Sequence, residues 1–217
     1  MAQVVAEGYR KAAQFSTSFE ADFALTNAGG VRVALETDGL NDGALILEDA
    51  FRVQPFPNEL ISVQITGAQI LTALEQGVAN WLDTGNSNGS HPYASGLRWD
   101  LDLTKPAGAR FSNLQVKNHT TGLWSNLDPA RAYKLIIADY LRDGYEGYRM
   151  FSDICKAPAS NLCVPLGGVY AADSLVRHLQ SMAGGLVMRP ACTDYSHQKF
   201  IDRNGIALNP PAQPYCN

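Results

Sequence analysis

Apolar and polar positions alternate most cleanly in "ELISVQIT", where Ile61, Val63 and Ile65 fall on one side and Ser62, Gln64 and Thr66 on the other. Period two over such a run predicts a half-buried strand. The pattern then changes at once. In "TGAQILTALEQGVANWL", Ile70, Leu71, Leu74, Val78, Trp81 and Leu82 recur at helical spacing, with Thr66 placed to cap the first turn. A second helix is predicted at the start, from Val4, Val5, Gly8, Ala12 and Phe15, and a third in "VYAADSLVRHLQSMAGG", with Leu175, Val176, Leu179 and Met182 on one face. "DFALT", "LRWDLDL", "RFSNLQVKN" and "AYKLIIADY" read as further strands. "ILEDAFRVQPF" reads as a short helical turn ending at Pro55. "DTGNSNGSHPYASG", "TKPAGA" and "TTGLWSNLDPA" read as loops and turns. Strands and helices do not alternate strictly, so the pattern predicts an α+β fold of mixed sheets packed with helices. From about Arg189 the Pro- and Asn-rich chain reads as a surface-wrapping tail. The expected organisation is one domain over 1–188 and a tail over 189–217.

Composition narrows the function. The 217 residues are 46% hydrophobic and 18% charged, with a formal net charge of -4. That balance argues against nonspecific nucleic-acid binding, which needs a basic surface. No apolar run is long enough to span a bilayer. The four cysteines, Cys155, Cys163, Cys192 and Cys216, lie in the last third of the chain and allow three pairings. The favoured one is Cys155–Cys163 with Cys192–Cys216, each closing a Pro-containing loop in an oxidising compartment. The alternative is four free buried thiols.

Four clusters could carry chemistry. "NAGGVR" joins Asn27, the adjacent Gly29 and Gly30, and Arg32, whose planar fork suits an anionic oxygen. "QPFPNEL" brackets Phe56 with prolines, giving a stiff stacking platform or a core anchor, and places Asn58 beside it. "ADYLRDGYEGYRMF" puts Tyr140, Tyr145, Glu146 and Tyr148 around a Gly-punctuated loop. "YASGLRWD" introduces Gly96 into a strand. The sequence contains no HExxH, P-loop or GxGxxG. Its four histidines (His91, His119, His178 and His197) are spread over different segments and read as packed or solvated residues without partners. These residues describe a binding surface and supply no catalytic centre and no metal site.

The order "ADFALTNAGGVR", "VQPFPNELISVQITGAQILTALE", "YASGLRWDLD", "YKLIIADYLRDGYEGYRMF" resembles the C-terminal domain of the 5′-nucleotidase family, which includes UDP-sugar hydrolases and 2′,3′-cyclic phosphodiesterases. The resemblance covers residues 2–182. It implies a periplasmic or secreted two-domain hydrolase. An N-terminal metallophosphatase domain would hold two divalent metal ions and the catalytic residues, and would lie before residue 1. Residues 1–17 would be the remnant of the interdomain helix, and no cofactor is expected in this domain. The resemblance further implies that Phe56 and Tyr140 sandwich a nucleotide base, with Asn27 beside it. Arg32 would reach phosphate or ribose, and Glu146 would accept from the ribose hydroxyls. Gly96 would let its strand approach the base edge, and Asn58 would hold the Phe56 loop. Gly144-Tyr145-Glu146 stands where the family usually has Gly-Gly-Asp. The expected activity is hydrolysis of nucleotide phosphomonoesters by the whole polypeptide, with UDP-sugars or dinucleotides as further candidate substrates. The alternative is a non-catalytic nucleoside- or ligand-binding module that keeps the fold.

Overall fold

The computed structural model describes residues 1–16, 20–35, 44–157 and 161–208. Among these described residues, two five-stranded sheets organise the fold. The first, in spatial order, contains β3 (Pro92–Ser95), β1 (Phe23–Asn27), β7 (Ala132–Ala138), β2 (Glu59–Thr66) and β8 (Cys163–Tyr170). The second contains β10 (Ala207–Leu208), β9 (His197–Ile201), β4 (Leu97–Asp102), β5 (Phe111–Lys117) and β6 (Trp124–Asn126). Both are mixed: β1 runs parallel to β7 and β4 parallel to β9, and the other pairs are antiparallel. The fold is the expected α+β class.

The first sheet is covered on both faces, and alternation along its central strands divides the core. Phe23, Leu25, Ile61, Val63, Ile65, Leu135 and Ile137 point into a cluster shared with α3 (Gly67–Leu82), α5 (Arg149–Lys156) and the inner face of the second sheet. Ala24, Leu60, Ile136 and Ala138 point the other way. They meet Val5, Tyr9 and Ala13 of α1 (Ala2–Ser16), Ala50 and Val53 of α2 (Leu47–Val53) and Leu175 of α6 (Ala171–Gln180). The cap on α3 forms as the sequence predicts. Thr66 Oγ1 accepts from the Gln69 N–H and Gln69 Oε1 accepts from the Thr66 N–H, closing a capping box.

Several elements depart from the sequence reading. "AYKLIIADY" ends as a strand at Ala138, and Asp139 and Tyr140 open the short helix α4 (Asp139–Arg142). The strands read in "LRWDLDL", "RFSNLQVKN" and "AYKLIIADY" divide between the sheets, β4 and β5 in one and β7 in the other. β6 lies inside the segment read as a turn. β8, which carries Pro165, Gly167 and Gly168, was not expected at all; it forms the sheet edge, where a proline is tolerated. Beyond residue 189, β9 pairs with β4, so that part of the tail is sheet. His91 and His197, read as partnerless, are stacked on each other. The Cys155–Cys163 disulfide is formed and ties α5 to the start of β8. The expected Cys192–Cys216 pairing involves Cys216, which lies outside the described residues.

Candidate functional site

Topology brings four separate segments to one edge of the first sheet. β1 and β7 are parallel, so their C-terminal ends coincide there; β2 and β3, antiparallel to β7 and β1, begin there. The pairs Asn27↔Pro92 and Leu60↔Ala138 mark that edge. The segments just beyond it enclose an open cleft of about 440 Å³. Asn27, Ala28, Gly29, Gly30 and Arg32 come from the exit of β1, Phe56 and Asn58 from the entry to β2, Tyr140 and Glu146 from the exit of β7, and Ser87, Asn88 and Gly89 from the entry to β3.

The "NAGGVR" wall is held from behind. Asn27, buried at the end of β1, donates from Nδ2 to Gly89 O at 2.8 Å. Gln54 donates to Gly30 O while its Oε1 accepts from the Tyr9 hydroxyl at 2.5 Å, so α1 supports the turn through one side chain. Neither Gly29 nor Gly30 takes a positive φ. What favours glycine here is close packing. A Cβ at Gly29 would stand 3.2 Å from Gly89 Cα, and one at Gly30 would stand 3.2 Å from Asn27 Oδ1. Arg32 donates to Gly29 O at 3.2 Å, and its guanidinium carbon lies 5.9 Å from the Phe56 ring centroid.

The two aromatics are presented to solvent. Phe56 is 44% exposed and Tyr140 37%, large values for rings in a domain with a filled core. Burial, with the Glu146 charge and Tyr145 after it, raises the Tyr140 phenol, so it stays neutral at ordinary pH. Burial likewise raises the Glu146 carboxyl above its ordinary value. Glu146 sits at φ 54°, a conformation uncommon for a residue with a side chain, and Asn80 Nδ2 lies 3.5 Å from its Oε2. Tyr148 turns inward: it is fully buried, and its hydroxyl donates to Ser90 O at 2.7 Å, fastening the loop before β3 to the core.

Asn27, Gly29, Gly30, Arg32, Phe56, Asn58, Tyr140 and Glu146 are thus brought together from three distant stretches. Gly96 is not among the residues that line this cleft. It joins β3 to β4 at φ 78°, and a Cβ there would stand 2.6 Å from Asp22 O and 2.9 Å from the His119 ring, so packing accounts for the glycine. Ser87, Asn88 and Gly89 were missed by sequence reasoning, which saw a polar loop. Their signal lies only in tertiary approach: a Cβ at Gly89 would stand 3.2 Å from Gly29 Cα and 3.2 Å from Glu146 Oε1. Among the described residues, no group of three or more His, Cys, Asp and Glu side chains could hold a metal ion.

Residues 1–153 match the family defined as 5′-nucleotidase, C-terminal domain. The chain belongs to the 5′-nucleotidase family. Among its relatives, the probable 5′-nucleotidase of Treponema pallidum (strain Nichols) is 29% identical over 134 residues, which is 61% of this chain and 21% of that protein. A snake venom 5′-nucleotidase of Gloydius brevicauda is 28% identical over 149 residues, 67% of this chain and 25% of the relative. The fold also matches solved structures of 5′-nucleotidase relatives. The NAD nucleotidase of Haemophilus influenzae superposes with a TM-score of 0.71 at 25% identity, over 82% of this chain and 29% of that one. A 5′-nucleotidase precursor from Thermus thermophilus gives 0.67 at 27% identity, over 82% and 32%. The chain therefore spans about a fifth to a third of the length of these 5′-nucleotidase relatives. Among the described residues no helix is long and apolar enough to cross a membrane.

Proposed function

We propose that this chain is the nucleotide-binding domain of a metal-dependent 5′-nucleotidase and that the cleft at the sheet edge receives the nucleoside. The observation that supports this most is the meeting of two exposed rings, one guanidinium and one carboxylate in a single open cleft. The rings suit the two faces of a base, and stacking of this kind contributes roughly 1–3 kcal/mol per base. Glu146 suits the ribose hydroxyls as an acceptor. Arg32 suits an anionic phosphate oxygen, where its fork can bind through two N–H groups. The volume suits a nucleoside, since small-molecule sites usually occupy about 300–1,000 Å³.

In this reading the domain selects and orients, and the rest of the polypeptide performs hydrolysis. The family resemblance assigns two divalent metals to an N-terminal metallophosphatase domain, where they would polarise the phosphate and activate water. The described residues of this chain do not offer a fit for those metals, so no step is assigned to a metal held here. The Cys155–Cys163 disulfide supports a periplasmic or secreted setting.

Calorimetric titration of the chain with AMP, adenosine and UDP-glucose tests the proposal. Base-dependent binding that Phe56→Ala and Tyr140→Ala each abolish is the expected result. Binding that survives both substitutions removes the base from this cleft.

A further inference from the structure

Tyr145 stands out because it belongs to the cleft loop without lining the cleft. Its ring lies on that of Tyr140, with centroids 4.7 Å apart and planes 14° from parallel. Such a spacing is that of an attractive offset stack. Tyr140 does line the cleft. Tyr145 does not, so the Tyr140 ring is stacked on one face by a neighbour outside the cleft lining.

The place of Tyr145 is itself fixed. The turn carrying it has Gly144 at φ 88°, Glu146 at φ 54° and Gly147 at φ 82°. A Cβ at Gly144 would stand 2.9 Å from Ser152 Oγ of α5, and one at Gly147 2.8 Å from Asn80 Cβ of α3. The turn is clamped between two helices. From it, successive residues take different places: Tyr145 stacks on the Tyr140 ring, and Glu146 lines the cleft.

We propose that Tyr145 is the positioning residue of the base platform, holding the Tyr140 ring in its stacking plane and so setting preference for the aromatic base over the sugar phosphate; this rests on reading the cleft as a nucleotide site. The physical reason is pre-organisation. Tyr140 is the second residue of a four-residue helix and is more than a third exposed, so an unbacked ring there would lose rotamer freedom when a base bound. Backing it removes that cost beforehand, which for one side chain amounts to roughly two- to tenfold in affinity.

The test compares AMP with ribose 5-phosphate on the full chain, for wild type, Tyr145→Ala, Tyr145→Phe and Tyr140→Ala, with dissociation constants from calorimetry or ligand-observed NMR. Tyr145→Ala is expected to weaken AMP by roughly two- to tenfold and leave ribose 5-phosphate unchanged. Tyr145→Phe, which keeps the ring, is expected to restore AMP binding. Parallel loss of both ligands would mean that the substitution collapses the turn and Glu146 with it, and would overturn the positioning role. So would unchanged AMP binding in Tyr145→Ala while Tyr140→Ala loses it. If Tyr140→Ala binds AMP as wild type does, the cleft reading itself fails and the role of Tyr145 falls with it.

Discussion

The Nε2 atoms of His91 and His197 lie 2.9 Å apart, and the two rings stack at 13°. His91 ends the loop that supplies Asn88 and Gly89 to the cleft, and His197 opens β9 of the second sheet. The rings of Trp81, Tyr93, Trp99 and Phe200 surround the pair, and Ser196 Oγ lies 3.2 Å from His197 Nδ1. Sharing one N–H between two Nε2 atoms requires that at least one imidazole be neutral.

Stability should therefore fall in acid. Burial lowers His91 to about 4 and holds His197 well below its ordinary value, with His91 itself lowering it further. In the unfolded chain both titrate near 6.5. The unfolded state then binds more protons between these values, so stability is full above about pH 6.5 and is lost as pH falls toward 4. For His91 the loss is about 3 kcal/mol. Glu7 continues the trend: burial alone would raise it, but its hydrogen bonds to Arg10 carry it down to about 2. Urea unfolding at pH 7.5, 6 and 5 measures the slope, and a His91→Gln/His197→Gln double variant should reduce it, leaving the part due to His178, which burial and the Lys11 charge lower to about 4, and to His119, lowered mainly by burial.

Arg32 should distinguish nucleotide from nucleoside. If the guanidinium grips phosphate, Arg32→Ala weakens AMP by roughly tenfold to a hundredfold and leaves adenosine nearly unchanged. Equal losses for the two ligands would instead show that Arg32 acts through the Phe56 ring 5.9 Å away. Calorimetry with the pair of ligands decides.

Two glycines of α3 should resist alanine despite its higher helix propensity. Propensity alone favours Gly→Ala by about 1 kcal/mol. A Cβ at Gly77 would stand 2.5 Å from the Tyr148 ring, and one at Gly67 would stand 2.2 Å from Asp128 O. Packing decides, and Gly77→Ala should cost about 1–3 kcal/mol. Gly67→Ala should cost more, because backbone yields less readily than a ring. Denaturant midpoints order the two variants against wild type.

Opening the Cys155–Cys163 bridge should cost about 2–3 kcal/mol, from the entropy of a loop whose ends are 8 residues apart. Thermal unfolding of a Cys155→Ser/Cys163→Ser variant, with and without reductant, measures it. Wild type should lose more stability to reductant than the variant does, because only the wild type has this bridge to lose.

Local pattern made some elements legible. β2 and α3 announce themselves because each buries one face and because Thr66 caps with Gln69, all within 24 residues. β8 is hidden by Pro165, Gly167 and Gly168, residues that signal a loop but are accommodated at an irregular sheet edge. β9 is hidden because its partner β4 lies nearly a hundred residues earlier, and no local period records a parallel pairing. The site follows the same rule. Asn27, Arg32, Phe56, Tyr140 and Glu146 were recognisable as motifs, whereas Gly89 matters only because the loop carrying it folds against Gly29. Gly96 looked like a member of the same set, and its partners turned out to be Asp22 and His119.

Gly96 is also all the chain there is between β3, which borders the cleft strand β1, and β4, at the centre of the second sheet. A joint one residue long has no slack. Anyone transplanting the cleft into another protein must carry the second sheet with it, and a crossover engineered between residues 95 and 97 would cut a tie rather than a linker. The smallest exchangeable unit is both sheets together, so changes of ligand preference have to be sought in the four segments at the sheet edge and not in swapped halves.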